Sequence, residues 1–392
     1  MRKAFIAFDK GDNGDRLSNV VCQLFEGAGI DISGVFSISK TDGVAFKKLL
    51  TFLKDNSDCI IMTAGLFNTF DTKEIISQTL NVTFTENKTA QQHSLVGEYG
   101  EELFLCPEDS TVIPNKLGVF QGYMLQSDIT LIVISDVYAE GLEMLRNYLI
   151  PYLSTKSGEK LSKKVFKLFG TPAPFIDGIV SRFNNDYGEK IKLTVTNNYG
   201  DTLLEVIYDL DDEDICNTAL MDLQNTLSQY IYATEDITLA QTLVQLLTVT
   251  GKKIATAESF TGGLVASSIV TVSGASSVFE RGFITYSNDA KADILGVDRG
   301  ILDTKGAVCE DTAYEMAVGL LNQTTADVVI ATTGLAGPNS DGTNKPVGLC
   351  YVAVGSKEGI YVYKYNFVGD RNKIIQLGVN TSLFKAIKLI KN

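Results

Sequence analysis

Residues 253–291 read KIATAESFTGGLVASSIVTVSGASSVFERGFITYSNDAK. The pattern predicts a strand over 253–257, a Ser/Thr/Gly turn over 258–263 and an apolar helix over 264–272. A second strand, 282–287, then runs out shortly before Lys291. A hydroxyl held at a strand-to-helix turn is exposed, and the N–H groups around it have no intrahelical partners. Such a turn can receive an anion or a developing oxyanion. The plain alternative is an ordinary helix cap supplied by Thr261 or Ser259.

Outward from this stretch the β/α alternation continues. Helices are expected at 238–248, 312–322 and 372–390, a buried strand at 326–332, and two antiparallel strands at 349–355 and 359–367. These make a C-terminal α/β domain, 237–392. Ahead of it, 161–236 reads as a small α+β module with strands at 165–169, 190–197 and 202–208 and helices at 174–183 and 212–229. IYATEDIT (231–238) is its exit. Residues 1–160 read as a doubly wound α/β domain. Its strands are 2–8, 34–38, 59–63 and 129–135. Its helices are 17–26, 44–54, 73–80 and 139–152, and a hairpin joins 103–105 to 111–113. The loop 63–72, at a strand's carboxyl end, is its candidate pocket.

A chain of 392 residues suits two to three domains. The net charge of −13 argues against the broad basic surface that non-specific nucleic-acid binding requires. LSKKVFKLFG (161–170) reads as a solvated helix face, and the acidic run DLDDEDIC (209–216) as a solvated helix N-terminus. The single histidine, His93, excludes a His pair or a His-rich metal site. The six cysteines are scattered without a CxxC pair, which fits reduced thiols. No apolar stretch approaches the roughly 20 residues of a membrane span. The short N-terminal apolar run meets Asp9 and does not read as a signal peptide. A cytoplasmic protein without membrane or direct nucleic-acid partners is expected.

Ser259 is a weak nucleophile unless a base removes its proton. With almost no histidine available, a lysine of lowered pKa is the candidate, and Lys291 lies in the same module. Tyr286 could relay or orient a proton. The alternative for Lys291 is a surface lysine opening a helix. The loop 333–348 offers Thr333, Gly334, Gly337, Gly342, Thr343 and Lys345 at a strand's carboxyl end, and Arg371 opens the last helix. Such groups suit a phosphate or a sugar, although each glycine can equally be a turn requirement. From the residues alone, this is a serine hydrolase acting on a phosphorylated small molecule.

AESFTGG (257–263), FERGFITYSNDAK (279–291), GLAGPNSDGTNKPVG (334–348) and VGDR (368–371) closely resemble the C-terminal domain of the CinA competence/damage-inducible proteins. That domain resembles nicotinamide mononucleotide (NMN) deamidases, which convert NMN to nicotinate mononucleotide and ammonia. The resemblance implies Ser259 as nucleophile, Lys291 as base and Tyr286 as assistant. It places Thr261, Gly262 and Gly263 around the oxyanion, and Thr333 to Lys345 with Arg371 around the nucleotide. It implies no metal, no cofactor and a homodimer. Phe260 stands where the family has a small Cys, and Cys309 where it has Ser. Ile374, Ile375 and Gln376 stand where it often has a second base.

The first domain resembles the molybdopterin-binding fold, some members of which hydrolyse ADP-ribose with a divalent metal. TAGLFNTFDTKE (63–74) keeps Gly65 and Asp71 but lacks the second aspartate. AFDKGDNGDRLSN (7–19) lacks the usual Gly-Thr/Asp-Glu-Leu-Leu run, with Asn19 as the candidate match. IPNKLGVFQGYM (113–124) keeps the Pro-Asn and Gly features. SDVYAEGLEM (135–144) replaces a Pro-Gly-Val-Pro turn. This implies a domain kept for assembly or regulation. The other class of function is a non-enzymatic partner in DNA uptake or repair. ADP-ribose incubated with the protein and added divalent metal is expected to show at most trace hydrolysis; robust turnover would overturn the degenerate-site reading.

Overall fold

A computed structural model describes residues 3–9, 21–22, 24–25, 30, 32–64, 71–87, 105–118, 120–157, 161–340 and 342–391. His93, Asn19, Gly65 and most of the expected helix 17–26 lie outside them. The chain forms two compact units, 1–162 with 209–211 and 163–208 with 212–392.

The first unit runs β1 (Lys3–Asp9), β2 (Gly34–Ser39), α1 (Gly43–Asn56), β3 (Cys59–Ala64), α2 (Thr72–Leu80), β4 (Phe84–Glu86), β5 (Leu105–Pro107), β6 (Thr111–Ile113), β7 (Gly122–Gln126), β8 (Thr130–Ser135) and α3 (Tyr138–Met144). A π turn, Leu145–Leu149, leads on to α4 (Ile150–Ser157). Its main sheet has the order β2-β1-β3-β8-β7-β6, and β1, β2, β3 and β8 are parallel. β3 and β8 are continuous apolar runs because both their faces are covered. Ile60, Met62, Leu131 and Val133 face one cluster, and Ile61, Ile132 and Ile134 the other.

One expectation is corrected here. The segments 103–105 and 111–113 do not form a hairpin: β5 pairs with β4, while β6 pairs with β7. Asn115 accounts for the second pairing. Its amide oxygen accepts from Leu117 and Gly118 N–H, and its Nδ2 donates to Phe120 O, which folds the chain back. The helix expected at 139–152 is present and runs on through the π turn into α4 without a break. Asp71, the surviving acid of the candidate pocket loop, accepts from Lys73 and Glu74 N–H and so caps α2.

The second unit opens with β9 (Leu161–Phe169), α5 (Ala173–Tyr187), β10 (Ile191–Asn198), β11 (Asp201–Asp209), α6 (Glu213–Leu227) and β12 (Ile231–Ala233), in a sheet of order β10-β11-β9-β12. The lysines of LSKKVFKLFG therefore sit on a strand and not on a helix face. Lys163 and Lys167 meet Glu205 and Asp201 of the neighbouring β11 at 2.8 and 3.2 Å.

The chain continues through α7 (Leu239–Thr250), β13 (Ile254–Glu258), α8 (Leu264–Val270), β14 (Phe279–Ile284), α9 (Asn288–Leu295), α10 (Arg299–Thr304), α11 (Glu310–Gln323), β15 (Val328–Gly334), β16 (Leu349–Ser356), β17 (Gly359–Asn366) and α12 (Arg371–Lys391). The sheet order is β14-β13-β15-β16-β17, with β13 parallel to both its neighbours and β16 and β17 antiparallel. Side chains alternate across it. Ile254, Val328, Ile330 and Val352 pack with α7, α8 and α12, and Ala255, Ala257, Val329 and Ala331 with α9, α10 and α11. The strand order reverses at β13, so the crevice beyond its carboxyl end is where such a fold takes a ligand.

Among the described residues no helix is long and apolar enough to cross a membrane. α9 rests its last turn directly on α11, because Gly319 has no side chain: a Cβ there would lie 1.9 Å from Leu295 O. Gly319→Ala is expected to cost about 2–3 kcal/mol, read as an earlier urea midpoint with unchanged slope.

Candidate active site

Ser259 is the first residue beyond β13. Its N–H donates to Thr332 O at 3.0 Å, carrying the ladder to β15 one step past the strand. The chain then turns sharply through Gly262 and Gly263, whose φ values of 61° and 98° suit glycine. Thr261 Oγ1 and Thr332 Oγ1 lie 2.8 Å apart and tie the far side of the turn to β15.

Lys291 comes from α9, whose N-terminus is capped by Ser287 Oγ accepting from Ala290 N–H at 3.0 Å. That cap brings the lysine back under the turn, with 0% of its surface exposed. Its Nζ lies 3.0 Å from Ser259 Oγ and donates to Thr285 O at 2.8 Å and Tyr286 O at 3.2 Å. No carboxylate pairs with it among the described residues. Burial, unopposed, pushes its pKa down to about 8. A neutral amine has two N–H donors and one lone pair. With the donors given to the two carbonyls, the lone pair faces Ser259 Oγ, the geometry of a general base.

Glu258, also buried, accepts from Gly263, Val265 and Ala266 N–H at 2.9, 3.1 and 2.8 Å. The start of α8 is thus closed by the chain's own carboxylate. Gly262 N–H donates to Ser259 O. Of the residues expected around the oxyanion, Gly262 and Gly263 therefore have their N–H groups committed within the turn.

Tyr286 places its carbonyl, not its phenol, on Lys291. The side chain is 62% exposed, and its Oη accepts from Arg371 at 3.4 Å. Arg371 also donates to Gly337 O at 2.5 Å. Ser259, Lys291, Tyr286, Arg371 and Gly337 so form one connected chain of contacts. Asp370 accepts from Lys373 N–H at 2.8 Å and occupies the start of α12, which leaves the guanidinium as the anion-attracting group there.

The rest of the 333–348 loop is tied elsewhere. Thr333 Oγ1 donates to Ala307 O at 2.6 Å, Lys345 Nζ to Lys305 O at 2.5 Å, and Lys345 N–H to Thr343 Oγ1 at 3.2 Å. Gly334 packs on Cys350, and Gly342 has φ 84° with open space around it. Cys309 caps α11, with Sγ accepting from Thr312 N–H at 3.4 Å. Sequence reasoning gave no role to Glu258 or Thr332. An acid directly ahead of a glycine turn and a helix was the available signal for Glu258. Thr332 reads only as buried strand.

A model of the CinA C-terminal domain matches residues 236–390. A competence-damage inducible protein of Thermoanaerobacter pseudethanolicus is 32% identical over 353 residues, 84% of this chain and 83% of that one. Its counterpart in Caldanaerobacter subterraneus subsp. tengcongensis is 33% identical over 343 residues, with the same coverage. The crystal structure of competence/damage inducible protein CihA from Agrobacterium tumefaciens is 40% identical, covers 38% of this chain and 93% of that one, and has a TM-score of 0.38.

The buried amine has a measurable signature. Its pKa is about 8 when folded, against an ordinary 10.5. Between those values the unfolded chain binds the proton and the folded one does not, so stability rises with pH across that window and is lowest below it. In wild type this rise should amount to about 3 kcal/mol, and Lys291→Met should abolish it. Denaturant melts at pH 7 and pH 10 test both; parallel pH dependence in the two proteins would contradict it.

Proposed function

Because the chain belongs to the CinA family of competence-damage inducible proteins, we propose that it is an amidohydrolase whose substrate is NMN. The observation that carries this reading is the Lys291 amine, fully buried and aimed at Ser259 Oγ. A lysine held for structure alone would pair with a carboxylate or reach solvent.

Ser259 Oγ attacks the carboxamide carbon while its proton passes to Lys291 Nζ. The tetrahedral oxyanion collapses as the C–N bond breaks. Nζ returns the proton to the leaving nitrogen, and ammonia departs. A nicotinoyl ester remains on Ser259. Nζ then takes a proton from water, the hydroxide adds to the ester carbon, and the proton is given back to Ser259 Oγ as nicotinate mononucleotide leaves. No step calls for a metal. Arg371, with Tyr286 beside it and the 333–345 loop around it, is assigned to the nucleotide end, where a guanidinium suits a phosphate. We place this activity in the cytoplasm, in pyridine nucleotide salvage, carried out by a homodimer without cofactor. The first unit is assigned to assembly or regulation.

Ammonia release from NMN, with chelator present, is the test. Wild type should release it, and Ser259→Ala or Lys291→Met should lose about 10³-fold or more while remaining folded. Because the neutral amine is the active form, kcat/KM should rise with pH and level off above about 8. Release that persists in Ser259→Ala, or none from folded wild type, would sink the assignment.

A further inference from the structure

Phe260 follows the nucleophile and has no part in the chemistry above. Its side chain is 4% exposed and packs with Ala336, Cys350 and Ile374. The ring ends on α12. A Cβ placed on Gly378 would lie 2.4 Å from Phe260 Cζ, 2.6 Å from Cε2 and 3.5 Å from Thr261 Cγ2. The ring therefore occupies the volume that a side chain at 378 would need. A glycine in mid-helix weakens the helix, and here it makes room for an aromatic ring set against the nucleophile turn.

Arg371 lies two turns ahead of Gly378 on the same helix, and 371, 374 and 378 follow the spacing of one face. An adjacent face of α12 is held by the small sheet of the same unit. Asn380 Nδ2 donates to Tyr199 O at 3.3 Å, and Lys391 Nζ to Tyr232 O at 2.9 Å. The rings of Phe169 and Phe384 lie 5.2 Å apart, and a Cβ on Gly200 would meet Leu377 at 3.6 Å. Held on that side, α12 has little freedom to recoil from the ring.

We propose that Phe260 is a positioning residue: seated on Gly378, it fixes α12, and with it Arg371, at one spacing from Ser259. A substrate with its amide at Ser259 and its phosphate at Arg371 must span that spacing, so the pair selects the phosphorylated amide over its dephosphorylated riboside. The inference rests on Ser259 acting on the amide and Arg371 holding the phosphate.

The experiment compares hydrolysis of NMN and of the riboside by full-length protein. Arg371→Ala should raise KM for NMN by a much larger factor than KM for the riboside. Gly378→Ala should reproduce that pattern, with KM for NMN up about tenfold and kcat within about threefold. Adding Phe260→Leu to Gly378→Ala, which frees the space the new methyl needs, should restore KM to within about threefold of wild type. If Gly378→Ala does not fold, Phe260→Leu alone serves, with the same NMN-selective rise expected. An equal rise for both substrates, no rise in a folded variant, or no recovery in the double variant would overturn the inference while leaving the hydrolase standing. Loss of selectivity in none of the variants, Arg371→Ala included, would overturn the phosphate assignment with it. A folded wild type that hydrolyses neither substrate would overturn the underlying function.

Discussion

The amine of Lys291, withdrawn from water with no counter-ion among the described residues, is the constraint around which the C-terminal sheet is arranged. Its three neighbours are all oxygens: two carbonyls at the β14–α9 junction and the Ser259 hydroxyl beyond β13. For these to meet at one nitrogen, β13 and β14 must lie side by side and α9 must start immediately after the second carbonyl. Ser287 starts it there. The other end of α9 is fixed by backbone contact with α11 across Gly319. A looser fit would admit water to the amine and return its pKa toward the ordinary 10.5, shrinking the neutral fraction that the proposed base role requires.

The turn that carries Ser259 holds a second buried ionisable group, Glu258, solved in a different way. Its carboxylate receives three N–H groups at the start of α8. Backbone donors are fixed by the helix and cannot be lost to a rotamer change, so this group is compensated by the fold itself. One consequence concerns specificity. In many α/β folds a phosphate sits at the helix start that follows the first strand. That position is filled here from within the chain. Asp370 likewise fills the start of α12. In the proposed reading a phosphorylated ligand is left to side-chain charge, which Arg371, beside Tyr286 and Gly337, would supply.

Much of this was legible in the sequence, for identifiable reasons. Parallel strands buried on both faces appear as unbroken apolar runs, and CIIMTA, TLIVIS and VVIATTG are such runs. Ser259 and Lys291 stood out because each follows a strand within one βαβ stretch. β14 was less legible: it begins at Phe279, but Glu280, Arg281 and Gly282 make it look polar, as an edge strand can be. The pairing of β5 with β4, across a long sequence separation, depends on tertiary packing and has no local signal. LSKKVFKLFG misled because lysines that look solvated are paired across strands with Glu205 and Asp201. The commitments of Gly263, Thr333 and Lys345 to internal partners were equally hidden. A glycine, threonine or lysine in a polar loop looks the same whether it binds a ligand or the chain itself.

α12 shows why the small sheet of β9 to β12 cannot be treated as a spacer. Phe169 and Tyr232 belong to the same hydrophobic cluster as α7, α8 and α12. That cluster also contains Ile254 and Val328, which lie on the strands leading to Ser259 and Thr332. Core packing is close, and its residues shift together when one is displaced. The Ser259 turn, α12 and the small sheet therefore share one packed interior. A change at Phe169 or Tyr232, which touch neither Ser259 nor Lys291, alters the support of α12 and so the frame in which Arg371 is presented. Within this unit, the geometry of the candidate site depends on a core that reaches beyond residues 236–390, the segment the family model matches.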